Sequence, residues 1–138
     1  MSIEENKAIA RREGEEYNKR NVAIVDELCA SNYVKHAAGG QEIRGPEGAK
    51  QFLTMLLTAF PDFHITIEDM VAEGDRVVTR LTFTGTHQGD LMGIAPTGKQ
   101  VMWTAINIHR IVGGKFVETW QEGDALGLMQ QLGAIPSQ

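Results

Sequence analysis

Residues 99–121 read Lys99-Gln100-Val101-Met102-Trp103-Thr104-Ala105-Ile106-Asn107-Ile108-His109-Arg110-Ile111-Val112-Gly113-Gly114-Lys115-Phe116-Val117-Glu118-Thr119-Trp120-Gln121, and this stretch decides the fold. Its side chains alternate with the period of two that a β-strand imposes. One face carries Val101, Trp103, Ala105, Asn107, His109 and Ile111, and the other carries Met102, Thr104, Ile106, Ile108 and Arg110. Gly113-Gly114 reads as a two-residue hairpin turn, since glycine takes the positive φ such turns demand. A strand is expected over about 99–112 and its antiparallel partner over 115 to about 121. Neither face of the longer strand is polar enough for water alone. If helices cover one face, the other packs on a second subunit, so a homodimer through the outer sheet face is expected.

The same period extends upstream. Phe63, Ile65 and Ile67 alternate with His64, Thr66 and Glu68; Gly74-Asp75 marks a turn; Val77, Thr79, Leu81 and Phe83 resume the pattern. Before Pro61 the period becomes helical. Ala49, Phe52, Leu53, Leu56, Leu57 and Phe60 recur at spacings of three and four behind a Gly45-Pro46-Glu47 start. The first twenty residues read as a charged, exposed helix whose contact stripe is Ile9, Ala10, Glu13 and Tyr17. Asn21 is a candidate cap for a short helix bearing Val22, Val25 and Leu28, and residues 33–44 read as a short strand followed by a loop. Asp124 precedes a terminal helix that stops at Gly133. Helices, then long antiparallel strands, then a closing helix make an α+β order. A curved sheet with helices on its concave face encloses a pocket.

The 138 residues fit one domain, 1–138, and such a chain buries roughly two thirds of its unfolded surface. With 13 basic against 18 acidic side chains the net charge is −5. No basic surplus is available to meet phosphates, so neither nucleic acid nor membrane is an expected partner. No run approaches the ~18 apolar residues of a membrane span, and the acidic N-terminal stretch lacks a signal-peptide core. Cys29 is the one cysteine. It reads as a small buried hydrophobe rather than a reactive thiol, in a protein of the reducing cytoplasm.

Four segments carry a resemblance: Gly85-Thr86-His87-Gln88-Gly89, Gly93-Ile94-Ala95-Pro96-Thr97-Gly98-Lys99, Arg110-Ile111-Val112-Gly113-Gly114-Lys115 and Gln130-Gln131-Leu132-Gly133. Each alone is common turn chemistry. In this order and spacing, over about residues 5–134, they resemble the SnoaL-like polyketide cyclase (ester cyclase) family. The resemblance implies the nuclear transport factor 2-like superfamily: a cone-shaped α+β barrel of curved antiparallel (mixed) sheet, with N-terminal helices and a C-terminal helix around a pocket. It also implies ring closure by an intramolecular aldol reaction, with no metal or organic cofactor. A carboxylate would remove a proton next to a carbonyl while a histidine assists at the oxygen. The superfamily also holds ketosteroid isomerases, epoxide hydrolases and dehydratases, so the fold does not name the reaction. Aligned on Arg110 and on Gln131-Leu132-Gly133, the family's histidine position falls at Asn107 and its acid at Gln121. Amides there donate and accept hydrogen bonds but take up no proton near neutral pH.

His109, on the face of Asn107, is then the candidate base, with Asn107 and Gln121 as orienting or oxyanion-stabilising donors. The competing reading of His109 is a packed histidine. His36, Trp103, Phe60, Met92, His87 and Asp124 are candidate pocket residues. His36 and His87 also read as loop-pinning histidines, and Asp124 as a helix cap. Trp103 is either pocket wall or core, as are Phe52, Leu56, Phe60 and Met92. His64 reads as surface. Arg80 and Glu118 face either pocket or outer surface, with Arg80 favouring the outside, and Trp120 belongs to the outer face. The four histidines lack metal-ligand spacing, so no metal is expected. Three functions are open: an enzyme acting on a small apolar carbonyl compound by cyclisation, isomerisation or dehydration, a non-catalytic small-molecule-binding protein on the same fold, or a dimeric structural or regulatory domain with a filled pocket.

Overall fold

The computed structural model describes residues 2–136. The chain runs α1 (Ile3–Asn18), α2 (Ile24–Leu28), β1 (Cys29–His36), a 3-10 turn at Ala38–Gly40, β2 (Glu42–Arg44) and α3 (Gly45–Ala59). It continues through β3 (His64–Glu73), β4 (Arg76–Thr86), β5 (Gln100–Val112), β6 (Lys115–Gly123) and α4 (Ala125–Leu132). The hairpin expected in 99–121 is β5 and β6, and Gly113 and Gly114 turn it with φ of 60° and 81°.

The six strands form one sheet in the order β2-β1-β6-β5-β4-β3. Only β1 and β6 run parallel; every other neighbouring pair is antiparallel. The end strands β2 and β3 do not pair with each other, so the sheet is open and the barrel of the expectation is not closed. Asn18 ties α1 to the β3 edge: its side-chain amide donates to the Ile65 carbonyl at 2.9 Å, and its Oδ1 accepts from the Ile65 N–H at 2.8 Å.

Three local expectations are corrected. The first helix is not a weakly attached surface element: Asn6, Ala10 and Gly14 are buried on its inner face, and the helix packs on β3 and β4. Asn21 does not cap α2; the cap position is Ala23, and the Asn21 amide donates to Glu16 instead. Residues 33–44 hold more structure than a strand and a loop, because β1 already starts at Cys29 and β2 pairs with it.

The core has two parts. One gathers Phe60, Phe63, Phe83, Trp103, Leu128 and Leu132 beneath α4 and the end of α3. The other gathers Ile24, Val25, Leu53, Val77, Ile111 and Phe116 beneath α1, α2 and the start of α3. The connection from β4 to β5 is pressed against α3, where Gly89 leaves no room for a side chain. A Cβ there would stand 2.1 Å from the Thr58 carbonyl oxygen.

Candidate functional site

Where the two core clusters meet, the sheet turns polar. Register sets two rows across neighbouring strands. Val77, His109, Thr119 and Lys35 lie side by side on β4, β5, β6 and β1; Thr79, Asn107 and Gln121 lie two residues along on β4, β5 and β6. A step of two keeps both rows on one face. A bulge in β6 makes this work. Arg110 pairs with Glu118 but Ile111 pairs with Phe116, so Phe116, Thr119 and Gln121 all point inward despite their uneven spacing.

Helix α1 lays Glu13 and Tyr17 over these rows, and α3 supplies Phe52, Leu53 and Leu56. Together they enclose a cavity of about 110 Å³. Phe52, Leu56, Phe83, Trp103 and Gln121 also border a second space of about 150 Å³ beneath α4. The inner end is polar and the outer end, against Leu91, Leu128 and Met129, is apolar.

A buried relay orients the inner end. The Tyr33 hydroxyl donates to Thr119 Oγ1 at 2.8 Å, and Thr119 Oγ1 lies 2.8 Å from His109 Nδ1. A threonine hydroxyl has one proton to give. Its oxygen also has two lone pairs, so it holds both Tyr33 and Nδ1 with the ring proton on either imidazole nitrogen. Nε2 faces Glu13, 3.7 Å from Oε1. Burial, seconded by the Lys35 charge, pushes the His109 pKa down to about 3, so the ring is neutral at physiological pH. Burial pushes the Glu13 carboxyl up to about 7, although Lys35 and a hydrogen bond from Tyr17 pull the other way. Burial lowers Lys35 and raises both Tyr17 and Tyr33. Thr79 Oγ1 and Asn107 Oδ1 are buried on the cavity wall with no hydrogen-bond partner among the described residues.

Of the residues expected from sequence, His109, Asn107, Gln121 and Trp103 line the cavity, as do Phe52 and Leu56. The others do not. His36 sits on the opposite face of β1: its Nε2 is 2.7 Å from Glu118 and its ring stacks on Trp120. Phe60 is fully buried core, packed on Trp103 and His87 rather than facing the cavity. His87 is fully buried and pins the loop, its Nδ1 accepting from the Thr97 N–H at 3.2 Å. Met92 is 68% exposed at the rim of the outer space. Asp124 is the α4 cap, accepting from the Gly127 N–H at 2.8 Å. Arg80 pairs with Asp69 on the outer face, and Glu118 lies there between His36 and Arg110. His64 is exposed, and Trp120 lies between His36 and Arg76. Cys29 is buried, its thiol pushed up to about 12 by burial. Among the described residues no three His, Cys, Asp or Glu side chains gather to hold a metal.

Sequence reasoning missed Glu13, Lys35, Tyr17 and Tyr33 as cavity residues. A signal existed for Glu13, an acidic residue on the stripe of Ala10 and Tyr17. Another existed for Lys35, which alternates with His36 and shares its face with Tyr33.

The sequence matches the SnoaL-like polyketide cyclase family over residues 7–132. It is 32% identical to the aklanonic acid methyl ester cyclase DnrD of Streptomyces peucetius over 91% of this chain and 88% of that protein. Among solved structures it superposes on AclR of Streptomyces galilaeus with a TM-score of 0.89, at 31% identity, covering 99% of this chain and 86% of that one. The polyketide cyclase-like IdmH of Streptomyces antibioticus gives a TM-score of 0.82, at 31% identity over 93% of this chain and 98% of that one.

Proposed function

The chain belongs to the SnoaL-like polyketide cyclase family, and from that premise we propose that it carries out side-chain acid/base chemistry on a small, mostly apolar carbonyl compound, with Glu13 as the base. The observation that carries this reading is the placement of the Glu13 carboxyl in the cavity, 3.7 Å from His109 Nε2, where burial pushes its pKa up to about 7. A base poised near the working pH is the most effective one. His109, whose Nδ1 is occupied and whose pKa is pushed down to about 3, is too weak a base for that task.

In this scheme the Glu13 carboxylate takes a proton from the carbon next to a carbonyl. The side-chain amides of Asn107 and Gln121, neighbours across β5 and β6, donate to the enolate oxygen as charge builds there. The carbanion attacks a second carbonyl of the same molecule, one C–C bond forms, and the protonated Glu13 returns its proton to the new alkoxide. No metal or organic cofactor is needed. These amides stand where the resemblance puts the family's histidine and acid, so the proton carrier has moved from the sheet to α1. The substrate's apolar part extends into the space beneath α4.

Deuterium exchange tests the assignment. The α-protons of 2-tetralone, followed by NMR in heavy water, exchange faster with the wild-type protein than with Glu13→Gln by roughly 10²–10⁴-fold. No acceleration by the wild type over buffer contradicts it. Aklanonic acid methyl ester, the compound named for the relative DnrD, is the first candidate substrate.

A second reading is favoured by the same two amides. A pocket that lost its acid/base pair and kept unpartnered Thr79 and Asn107 oxygens suits a binding protein. Ligand binding without exchange or turnover supports it, and Asn107→His with Gln121→Asp then gains cyclase activity. The protein is further read as a cytoplasmic homodimer. The outer face of β5 leaves Met102 58%, Ile106 48% and Val112 51% exposed, an apolar strip that a second copy would cover.

A further inference from the structure

We propose that Lys35 is a covalent site, whose amine condenses with the carbonyl of an aldehyde or ketone held in the cavity to form an iminium. Lys35 stands apart from the other lysines. Lys7, Lys19 and Lys50 each meet a carboxylate, Lys115 donates to the Glu27 carbonyl, and Lys99 is exposed outside the cavity. Lys35 lines the cavity without an ion pair or hydrogen bond among the described residues. Its Nζ lies over the Phe52 ring, 4.6 Å from the centroid, on a wall of the cavity. The Glu13 charge in the same cavity and the ring face both favour the charged amine. Burial without a contacting carboxylate disfavours it more, and the net direction is downward. A lysine desolvated in an apolar pocket is a nucleophile.

The surroundings can manage the protons. Tyr33 lies two residues back on the same strand face, Thr119 is the register neighbour on β6, and the Glu13 carboxyl faces the same cavity. The neutral amine adds to the carbonyl carbon, an N–C bond forms, and one amine proton passes to the oxygen to give a carbinolamine. The carboxylic acid form of Glu13 then protonates the departing hydroxyl. The C–O bond breaks, water leaves, and an iminium and a carboxylate remain. No oxidant or reductant enters. The site shares the cavity of the proposed function but does not rest on Glu13 as a carbon base, since water can also supply that proton.

Reductive trapping tests it. The protein is treated at neutral pH with limiting benzaldehyde and cyanoborohydride, then digested and mapped by mass spectrometry. The benzyl group is expected on Lys35 at least about tenfold faster than on Lys7, Lys19, Lys50, Lys99 or Lys115. Lys35→Arg removes the fast phase and leaves the slow one. Modification of Lys35 no faster than that of the other lysines overturns the proposal. The mapping is done on the wild type, so it stands whether or not the variant folds. Glu13→Gln separates this idea from the acid/base reading: if only the latter holds, wild-type protein exchanges α-protons without a Lys35 adduct. If only the lysine reacts, the adduct forms without Glu13-dependent exchange.

Discussion

Glu13 on the first helix and His109 on the fifth strand face each other with Oε1 and Nε2 3.7 Å apart, yet they do not form an ion pair. Desolvation works against the charged form of both. It holds the imidazole neutral down to about pH 3 and keeps the carboxyl half-protonated at about 7. A neutral ring therefore faces a carboxyl that gains and loses its proton in the physiological range. Lys35, Tyr17 and Tyr33 complete the surroundings, and each of them is also shifted toward its neutral form.

Stability carries the signature of that arrangement. The folded pKa of Glu13 lies above the ordinary value of 4.5, so its contribution is full below about pH 4.5 and is lost as pH rises through about 7. His109 has the opposite sign: its folded pKa lies below 6.5, so stability is lost as pH falls from about 6.5 toward 3. In denaturant titrations, the stability of Glu13→Gln relative to wild type rises between pH 5 and 8 by on the order of 3 kcal/mol, then levels off. A difference independent of pH contradicts the shift.

The hydroxyl relay makes Thr119 a structural keystone of the site. Thr119→Val keeps the shape and removes the one hydrogen-bond partner that the Tyr33 hydroxyl and His109 Nδ1 each have among the described residues. Urea unfolding registers a loss of about 1–3 kcal/mol, the penalty for stranding buried polar groups. The His109 ring nitrogens, followed by ¹⁵N NMR, shift as Nδ1 loses its partner.

Asp124 separates capping from catalysis. Asp124→Ala costs about 1 kcal/mol, Asp124→Asn much less, and neither slows α-proton exchange beyond that loss of folded protein. A large drop in exchange with the stable Asn variant places Asp124 in the chemistry instead.

The outer face of β5 is tested by light scattering. Met102→Glu with Ile106→Glu places two charges on the exposed apolar strip and converts a dimer to monomers without lowering cavity binding. A wild-type monomer at micromolar concentration contradicts the homodimer.

Much of this site was legible in the sequence, and its gaps have physical causes. Trp103, Asn107 and His109 follow from strict alternation in β5, the longest strand, where a slip of one residue would expose the whole core face. Gln121 was reached through resemblance, since the bulge in β6 breaks its alternation with Phe116. Lys35 and His36 could not be told apart by type: β1 is short, and a polar cavity replaces the apolar residues that reveal a strand's inner face. Glu13 was hidden by the charge of its helix. Its neighbours Arg11, Arg12, Glu15 and Glu16 suggest a solvated surface, while the buried stripe is built from the small residues Ala10 and Gly14. Asp124 and His87 illustrate the converse, being residues of catalytic type that hold backbone amides in place. The open edges of the sheet came only with the pairing of β2 and β3 to single neighbours, which no local pattern encodes.

The proton-carrying role of Glu13 stands or falls on its own titration. With ¹³C-labelled glutamate and Glu13→Gln to identify the resonance, NMR reads the carboxyl carbon directly as pH is varied. A midpoint near 7, shifting when a ketone enters the cavity, is the predicted result. A midpoint at the ordinary value of 4.5, unmoved by ligand, contradicts it.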